Sequence, residues 1–224
     1  MSRHCVLLTA ILFGGALVLL TPAEAVAQGG LGLKAGVNFS TLRGDLIDAV
    51  IDGSDVEVLQ FKTGTGFVAG GFYAIPVGGA LYIQPEVLYQ RRVSKFDFNE
   101  LAEVLGAGAG LSASVRAEYL QIPVLLKWQP GIEGVRATLF AGPALAFRLS
   151  AEARAEFMGM TETEDLKDQT ASTDFGLVFG AGVAFGSFGL EARYDLGLSN
   201  VNSEEDDPTS LKWGTISLLA GFTF

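Results

Sequence analysis

DFGLVFGAGVAFGSFGLEARYDLGL, residues 174–198, holds the pattern from which the fold can be read. Phe175, Leu177, Phe179, Ala181, Val183 and Phe185 alternate with Asp174, Gly176, Gly180 and Gly182. After Gly186-Ser187-Phe188 the alternation resumes, with Leu190, Ala192, Tyr194, Leu196 and Leu198 set against Glu191, Arg193, Asp195, Gly197 and Ser199. A period of two belongs to a β-strand whose faces meet different surroundings, and two such runs around a short glycine turn make a hairpin. The glycines argue against an apolar helix, since each weakens one by about 1 kcal/mol relative to alanine.

The same pattern recurs in both directions from this hairpin. Leu31, Leu33, Ala35, Val37 and Phe39 alternate with Gly32, Lys34, Gly36, Asn38 and Ser40. A second run covers 63–77, with Phe67, Ala69, Tyr73 and Ile75 on one face. In the third, Leu81, Ile83, Pro85, Val87 and Tyr89 oppose Tyr82, Gln84, Glu86 and Gln90; in the fourth, Leu120, Ile122, Val124, Leu126 and Trp128 oppose Gln121, Pro123 and Lys127. The fifth sets Leu139, Ala141, Leu145, Phe147 and Leu149 against Gly142, Ala144, Ala146 and Arg148. The last pairs Ile216, Leu218, Ala220, Phe222 and Phe224 with Ser217, Leu219, Gly221 and Thr223. With the opening hairpin this predicts eight strands, most of them long enough to cross a bilayer at about 9–11 residues each.

Alternation alone does not say which face is inside. A soluble lipocalin-like carrier would turn the apolar face inward. Three features favour the reverse. The less apolar face mixes glycines with a few full charges, which suits a narrow interior where large and small side chains interdigitate. Tyr73, Tyr89, Trp128, Tyr194 and Trp213 fall near strand ends, where interfacial aromatics belong. Connections after strands one, three, five and seven run to about 10–20 residues, whereas the others are brief turns, against a hairpin norm of 2–5. That alternation is the arrangement of an up-and-down, all-β, eight-stranded transmembrane barrel, with the first strand pairing the last so that no edge is left open in lipid.

Composition fits. The chain is 49% hydrophobic and 18% charged, yet has 29 glycines. No stretch after the N-terminal one reaches the ~18 apolar residues of a spanning helix. At the N-terminus, Arg3-His4, the apolar run Val6–Leu20 and the small-x-small sites around Ala25 and Ala27 form a secretory signal peptide. Cleavage after Ala27 divides the chain into a leader, 1–27, and a barrel domain, 28–224. Export would remove Cys5 and His4, the only cysteine and histidine. That excludes cysteine nucleophiles, histidine-dependent barrel enzymes and thiolate or imidazole metal sites; a pair of loop carboxylates stays open. No cofactor is expected. A net charge of -10 repels phosphate backbones, so nucleic acid is not an expected partner.

Glu86, Lys127, Arg148, Glu191, Arg193 and Asp195 share the inferred lumen. They could mark a polar path for solute, but eight strands leave a bore only wide enough for side chains, which favours a plug of ion pairs. Outside the barrel, Arg43-Gly44-Asp45 spells an adhesion tripeptide that short chains often match by chance. Asp45–Ile51 and Asn99–Leu105 have the spacing of short amphipathic helices, with unstructured loop as the alternative. Glu162–Asp165 and Glu204–Asp207 place acidic runs in the outer loops, either a solvated surface or oxygen ligands for divalent cations bridging to lipopolysaccharide.

The stretches LYIQPEVLY (Leu81–Tyr89), YLQIPVLLK (Tyr119–Lys127), LFAGPA (Leu139–Ala144), DFGLVFGAG (Asp174–Gly182) and EARYDLGL (Glu191–Leu198) resemble the PorT-like family of outer-membrane β-barrel proteins. The resemblance implies export and insertion in the bacterial outer membrane; some members are linked to secretion or gliding machinery. Gly221, Phe222 and the terminal Phe224 look like the signal read by the outer-membrane assembly machinery. The expected protein is a monomeric, non-enzymatic barrel with outer-membrane lipid and lipopolysaccharide as neighbours, working structurally or through its loops. A small conduit or secretion component is the alternative.

Overall fold

The computed structural model describes residues 29–43, 48–51, 54–57, 60–97, 111–132, 134–157, 160–166, 171–201 and 211–224. The expected leader, most of Arg43-Gly44-Asp45, Asn99–Leu105 and Glu204–Asp207 lie outside them. Eight long strands form the wall: β1 Gly30–Arg43, β2 Gln60–Gly78, β3 Leu81–Asp97, β4 Leu111–Trp128, β5 Val135–Phe157, β6 Thr173–Phe185, β7 Phe188–Gly197 and β8 Lys212–Thr223. Each pairs antiparallel with the next, and β8 pairs antiparallel with β1 from Gly32↔Thr223 to Arg43↔Lys212. The sheet closes, so no wall strand leaves a backbone edge facing lipid.

Burial decides the facing. Leu33, Val37, Val87, Val124, Leu126, Leu139 and Leu218 are exposed on the outer surface, while Lys34, Asn38, Ser40, Gln84, Glu86, Gln121 and Arg193 are buried inside. This overturns the soluble-carrier alternative, which needed the apolar residues to converge on the axis. The outer apolar positions form a continuous belt, with Tyr73 and Trp128 toward the end that carries the short turns and Tyr89 and Tyr194 toward the other. Trp213 departs from the expected girdle. It is 1% exposed and points inward, because it shares the facing of Thr215 and Ser217 on β8.

Two of the short turns, Gly79-Ala80 and Gly186-Ser187, each start on a glycine in the left-handed region (φ 58° and 57°), as tight hairpins require. Inside, a methyl at Gly180 would lie 2.6 Å from the ring of Phe140, so absence of a side chain on β6 makes room for a large one on β5.

β2 to β5 run well past the belt. Above it, Gln60–Thr63, Arg91–Asp97, Leu111–Glu118 and Ser150–Phe157 continue as a sheet, and a further strand, Met160–Asp165, pairs with β5. β6, β7, β8 and β1 stop near the top of the belt. A bulge marks the transition in β5: Tyr119 pairs with Arg148 but Glu118 pairs with Ser150, leaving Leu149 surplus. Two local expectations are corrected. Asp48–Ile51 pairs with Ser54–Glu57 as antiparallel strands in place of a helix, Val50 and Ile51 being β-branched. Glu162–Asp165 belongs to a paired strand and not to an irregular loop.

Candidate functional site: the barrel lumen

The interior side chains are layered along the axis. At the short-turn end lies a cavity of about 640 Å³, bordered by Gly79, Gly186 and Ser187 at its mouth and by Gln84, Lys34, Lys127 and Glu191 at its floor. The floor is an ion-pair cluster. Lys34 Nζ donates to Glu86 Oε1 at 2.8 Å and to Glu191 Oε2 at 2.7 Å, and Lys127 Nζ donates to Glu191 Oε1 at 2.7 Å. Both guanidinium nitrogens Nη1 and Nη2 of Arg193 donate to Glu86 Oε2 at 3.1 Å, and Gln84 Nε2 donates to Glu86 Oε1 at 2.5 Å. The Glu86 side chain is 0% exposed.

Wall positions give this cluster its reach. Glu86 is on β3 and Arg193 on β7, four strands apart in a ring of eight, so their pair crosses the bore at its full width. One layer further on, Arg92 Nη1 donates to Asp174 Oδ2 at 2.8 Å and Gln121 Nε2 to Asp195 Oδ1 at 3.4 Å, around a void of about 10 Å³, room for one water at most. Four cations (Lys34, Arg92, Lys127, Arg193) thus meet four carboxylates (Glu86, Asp174, Glu191, Asp195). Balanced charge of this kind is what a low-dielectric interior demands.

Toward the opposite end the filling turns apolar. Trp213 Nε1 donates to the Tyr119 hydroxyl at 3.1 Å, and both pack with Leu42, Ala117, Ala146 and Ala151. Smaller apolar clusters, Leu125–Phe140–Ala144–Val178 and Val68–Leu88–Leu219, sit against the ionic layers. The lumen is therefore mixed, not wholly polar.

Of the residues singled out from sequence, Glu86, Lys127, Glu191 and Arg193 belong to one cluster, and Asp195 lies in the next layer, accepting from Gln121. Arg148 stands apart, its buried Nη1 without a hydrogen-bond partner among the described residues. Sequence reading missed Lys34, Gln84, Arg92 and Asp174 as network members, although the parity of three of them placed them on the polar face. At the C-terminus, Phe222 packs edge-on against Phe188 and Phe224, and Phe224 N donates to Leu31 O at 2.9 Å; Gly221 lines the cavity wall. Among the described residues, no three His, Cys, Asp or Glu side chains are grouped to hold a metal ion.

A family model described as outer membrane protein beta-barrel domain matches residues 26–203. No curated protein sequence matches. Among solved structures, Ail, the attachment invasion locus protein of Yersinia pestis, is 17% identical with a TM-score of 0.41, covering 88% of this chain and 99% of that one. Neisserial surface protein A is 14% identical, with a TM-score of 0.44 and coverage of 87% and 97%. The N-terminal β-barrel domain of Pseudomonas aeruginosa OprF is 11% identical, with a TM-score of 0.31 and coverage of 88% and 100%.

Proposed function

This chain belongs to the outer membrane protein beta-barrel domain family, and from that premise we propose that it is a non-conducting barrel holding a binding surface at the outer face of the outer membrane. The observation that carries the reading is the Glu86–Arg193 pair spanning the bore, braced by Lys34, Glu191 and Lys127. An ion entering the cavity at the short-turn end meets this balanced layer, and behind it the packed Tyr119–Trp213 cluster. Opening a path would mean separating buried charges, each of which costs several kcal/mol to leave unpaired.

The orientation is that of other such barrels, with short turns in the periplasm and long connections outside. The sheet that β2–β5 raise above the belt is then the part that meets the exterior, and binding, not chemistry, is its work. No enzymatic activity is proposed, since residues 28–224 hold neither histidine nor cysteine. Within the family we place the chain with PorT-like barrels, on the segments Leu81–Tyr89 and Glu191–Leu198. The leader 1–27 would be removed on export, and Gly221, Phe222 and Phe224 would be read by the assembly machinery, giving a monomer in lipid.

A conduit is the competing reading, drawn from the 640 Å³ cavity. Single-channel recording of the purified barrel in planar bilayers separates the two. Absence of unitary current steps is expected; reproducible steps scaling with protein would refute the closed lumen.

A further inference from the structure

Small residues in the wall open the cavity at the short-turn end. The inward positions around it are Gly30, Ala74, Ala184, Gly189, Gly221 and Thr223. Elsewhere in the bore glycine answers a close approach: a methyl at Gly70 or Gly142 would collide with the carbonyl of Val87 or Val124. Gly189 and Gly221 have no such neighbour. A methyl there would meet nothing nearer than the Val183 carbonyl at 3.7 Å and the Leu33 carbonyl at 3.4 Å, ordinary contact distances. They are register partners on β7 and β8, and neither has the left-handed backbone that favours glycine. What their smallness leaves is room. The resulting 640 Å³ falls within the roughly 300–1,000 Å³ of small-molecule sites.

The charge around that room is uneven. The four cations and four carboxylates of the lumen balance only over two layers. The layer flooring the cavity holds Lys34, Lys127 and Arg193 against Glu86 and Glu191, a surplus of one positive charge. The layer behind it holds Arg92 against Asp174 and Asp195, a surplus of one negative charge. The bore is therefore polarised, positive toward the cavity. At the rim, Arg136 and the carboxylate of Phe224 are one charge of each sign and leave that polarity standing.

Lys127 is where the surplus can be reached. Its side chain lines the cavity, is 6% exposed, and among the described residues makes one hydrogen bond, to Glu191, of the three an ammonium can donate. Beside it Gln84, Gln129, Tyr82 and Thr138 offer amide and hydroxyl groups, and Phe72 supplies an apolar wall.

We propose that this cavity binds a small organic carboxylate from the periplasm, its head accepting from Lys127 and its body lying against Gln84, Thr138 and Phe72. One surplus positive charge suits a monoanion, which favours a carboxylate over a phosphate dianion. The C-terminus of a short peptide and a sugar acid both carry such a head. The site is separate from the outer binding surface, and only its periplasmic side rests on the orientation given above.

The test uses the full protein in phosphatidylcholine nanodiscs, with Cys5→Ser and Gly189→Cys placing a single thiol on the cavity wall. Saturation-transfer NMR follows N-acetyl-trialanine and its C-terminal amide, then glucuronate and glucose. At least one acid should bind and neither neutral counterpart should, with affinity falling as salt rises; the stronger acid identifies the source. Reaction of the thiol with biotin maleimide should then abolish binding in the same preparation, where misfolding cannot be the cause. Lys127→Met should lose at least about tenfold, the worth of a hydrogen bond to a charged group. That variant leaves Glu191 paired with Lys34 at 2.7 Å, so the floor keeps its ion pairs. Equal signals from acid and amide, no signal from either acid, or a thiol that fails to react would each overturn the proposal. So would binding that survives the maleimide, or displacement by equimolar inorganic phosphate. Gel migration before and after boiling reports folding separately. Absent binding in a barrel that passes no current defeats this inference and leaves the closed-lumen reading intact, whereas unitary current with binding retained does the opposite.

Discussion

Replacing Glu86 by alanine removes the acceptor on which the central ionic layer converges. Its two oxygens take four hydrogen bonds, from Lys34, Gln84 and both terminal nitrogens of Arg193. At an effective dielectric constant near 20, the gross attraction is about 6 kcal/mol to Lys34 at 2.8 Å and about 5 kcal/mol to Arg193 at 3.1 Å. Most of that offsets the cost of bringing the charges in from water. What the variant reveals is the penalty of a stranded cation, about 3–5 kcal/mol for a buried pair with one member deleted. Lys34 keeps Glu191 at 2.7 Å, so a single cation, Arg193, is stranded, and the lower end, about 3 kcal/mol, applies. Urea titration of the barrel refolded into lipid vesicles, followed by tryptophan fluorescence, should show the midpoint falling by about 1–3 M. Adding Arg193→Met to Glu86→Ala should recover at least about 1 kcal/mol, because it removes the stranded cation. A loss under about 1 kcal/mol for Glu86→Ala would refute the reasoning: it would mean water already solvates the layer and the bore is not closed there.

The two tryptophans report facing directly. With brominated acyl chains, Trp128 fluorescence in Trp213→Phe should be quenched, and Trp213 fluorescence in Trp128→Phe should persist; the converse pattern would invert the barrel. Val124→Arg, in the middle of the β4 belt, should cost about 2–4 kcal/mol in the same vesicle unfolding assay, and a neutral result would argue that this face does not meet hydrocarbon. Gly180→Leu drives a side chain into the Phe140 ring and should cost about 1–3 kcal/mol, measurable as a lower unfolding midpoint. Phe224→Ser should reduce the amount of barrel recovered in outer-membrane fractions without lowering refolding yield in vesicles; equal loss in both would make the residue structural and not an assembly signal.

The wall was legible where its two faces meet unlike media. Between Leu81 and Tyr89, or Phe175 and Phe185, lipid on one side and a packed bore on the other impose strict alternation. Above the belt the outer face meets water, and in Arg91-Arg92-Val93-Ser94-Lys95 the inward Arg92 and Ser94 are as polar as the outward Arg91 and Lys95, so no apolar parity survives there and the upper parts of β2–β5 were invisible. The surplus residue Leu149 adds a second obstacle. Arg148 and Arg154 have the same parity in the chain, yet the bulge leaves one inside and the other outside. Trp213 misled because a strand-end tryptophan suits either an interface or a capped lumen, and only the facing of Thr215 and Ser217 decides between them. Pairings across the bore, such as Glu86 with Arg193, depend on strand count and stagger together, which no local window contains.

Because β2–β5 climb beyond the belt while β6–β8 and β1 stop at it, the wall made by the described strands is tall on one flank and low on the other. Among the described strands, only the tall flank stands between the barrel mouth and a large body arriving from that side. In a fluid bilayer the barrel turns about its axis and every direction of approach is sampled in time. Held against a neighbour in a crowded membrane, it would stop turning, and whichever flank was left free would decide what can reach it, without any change of conformation.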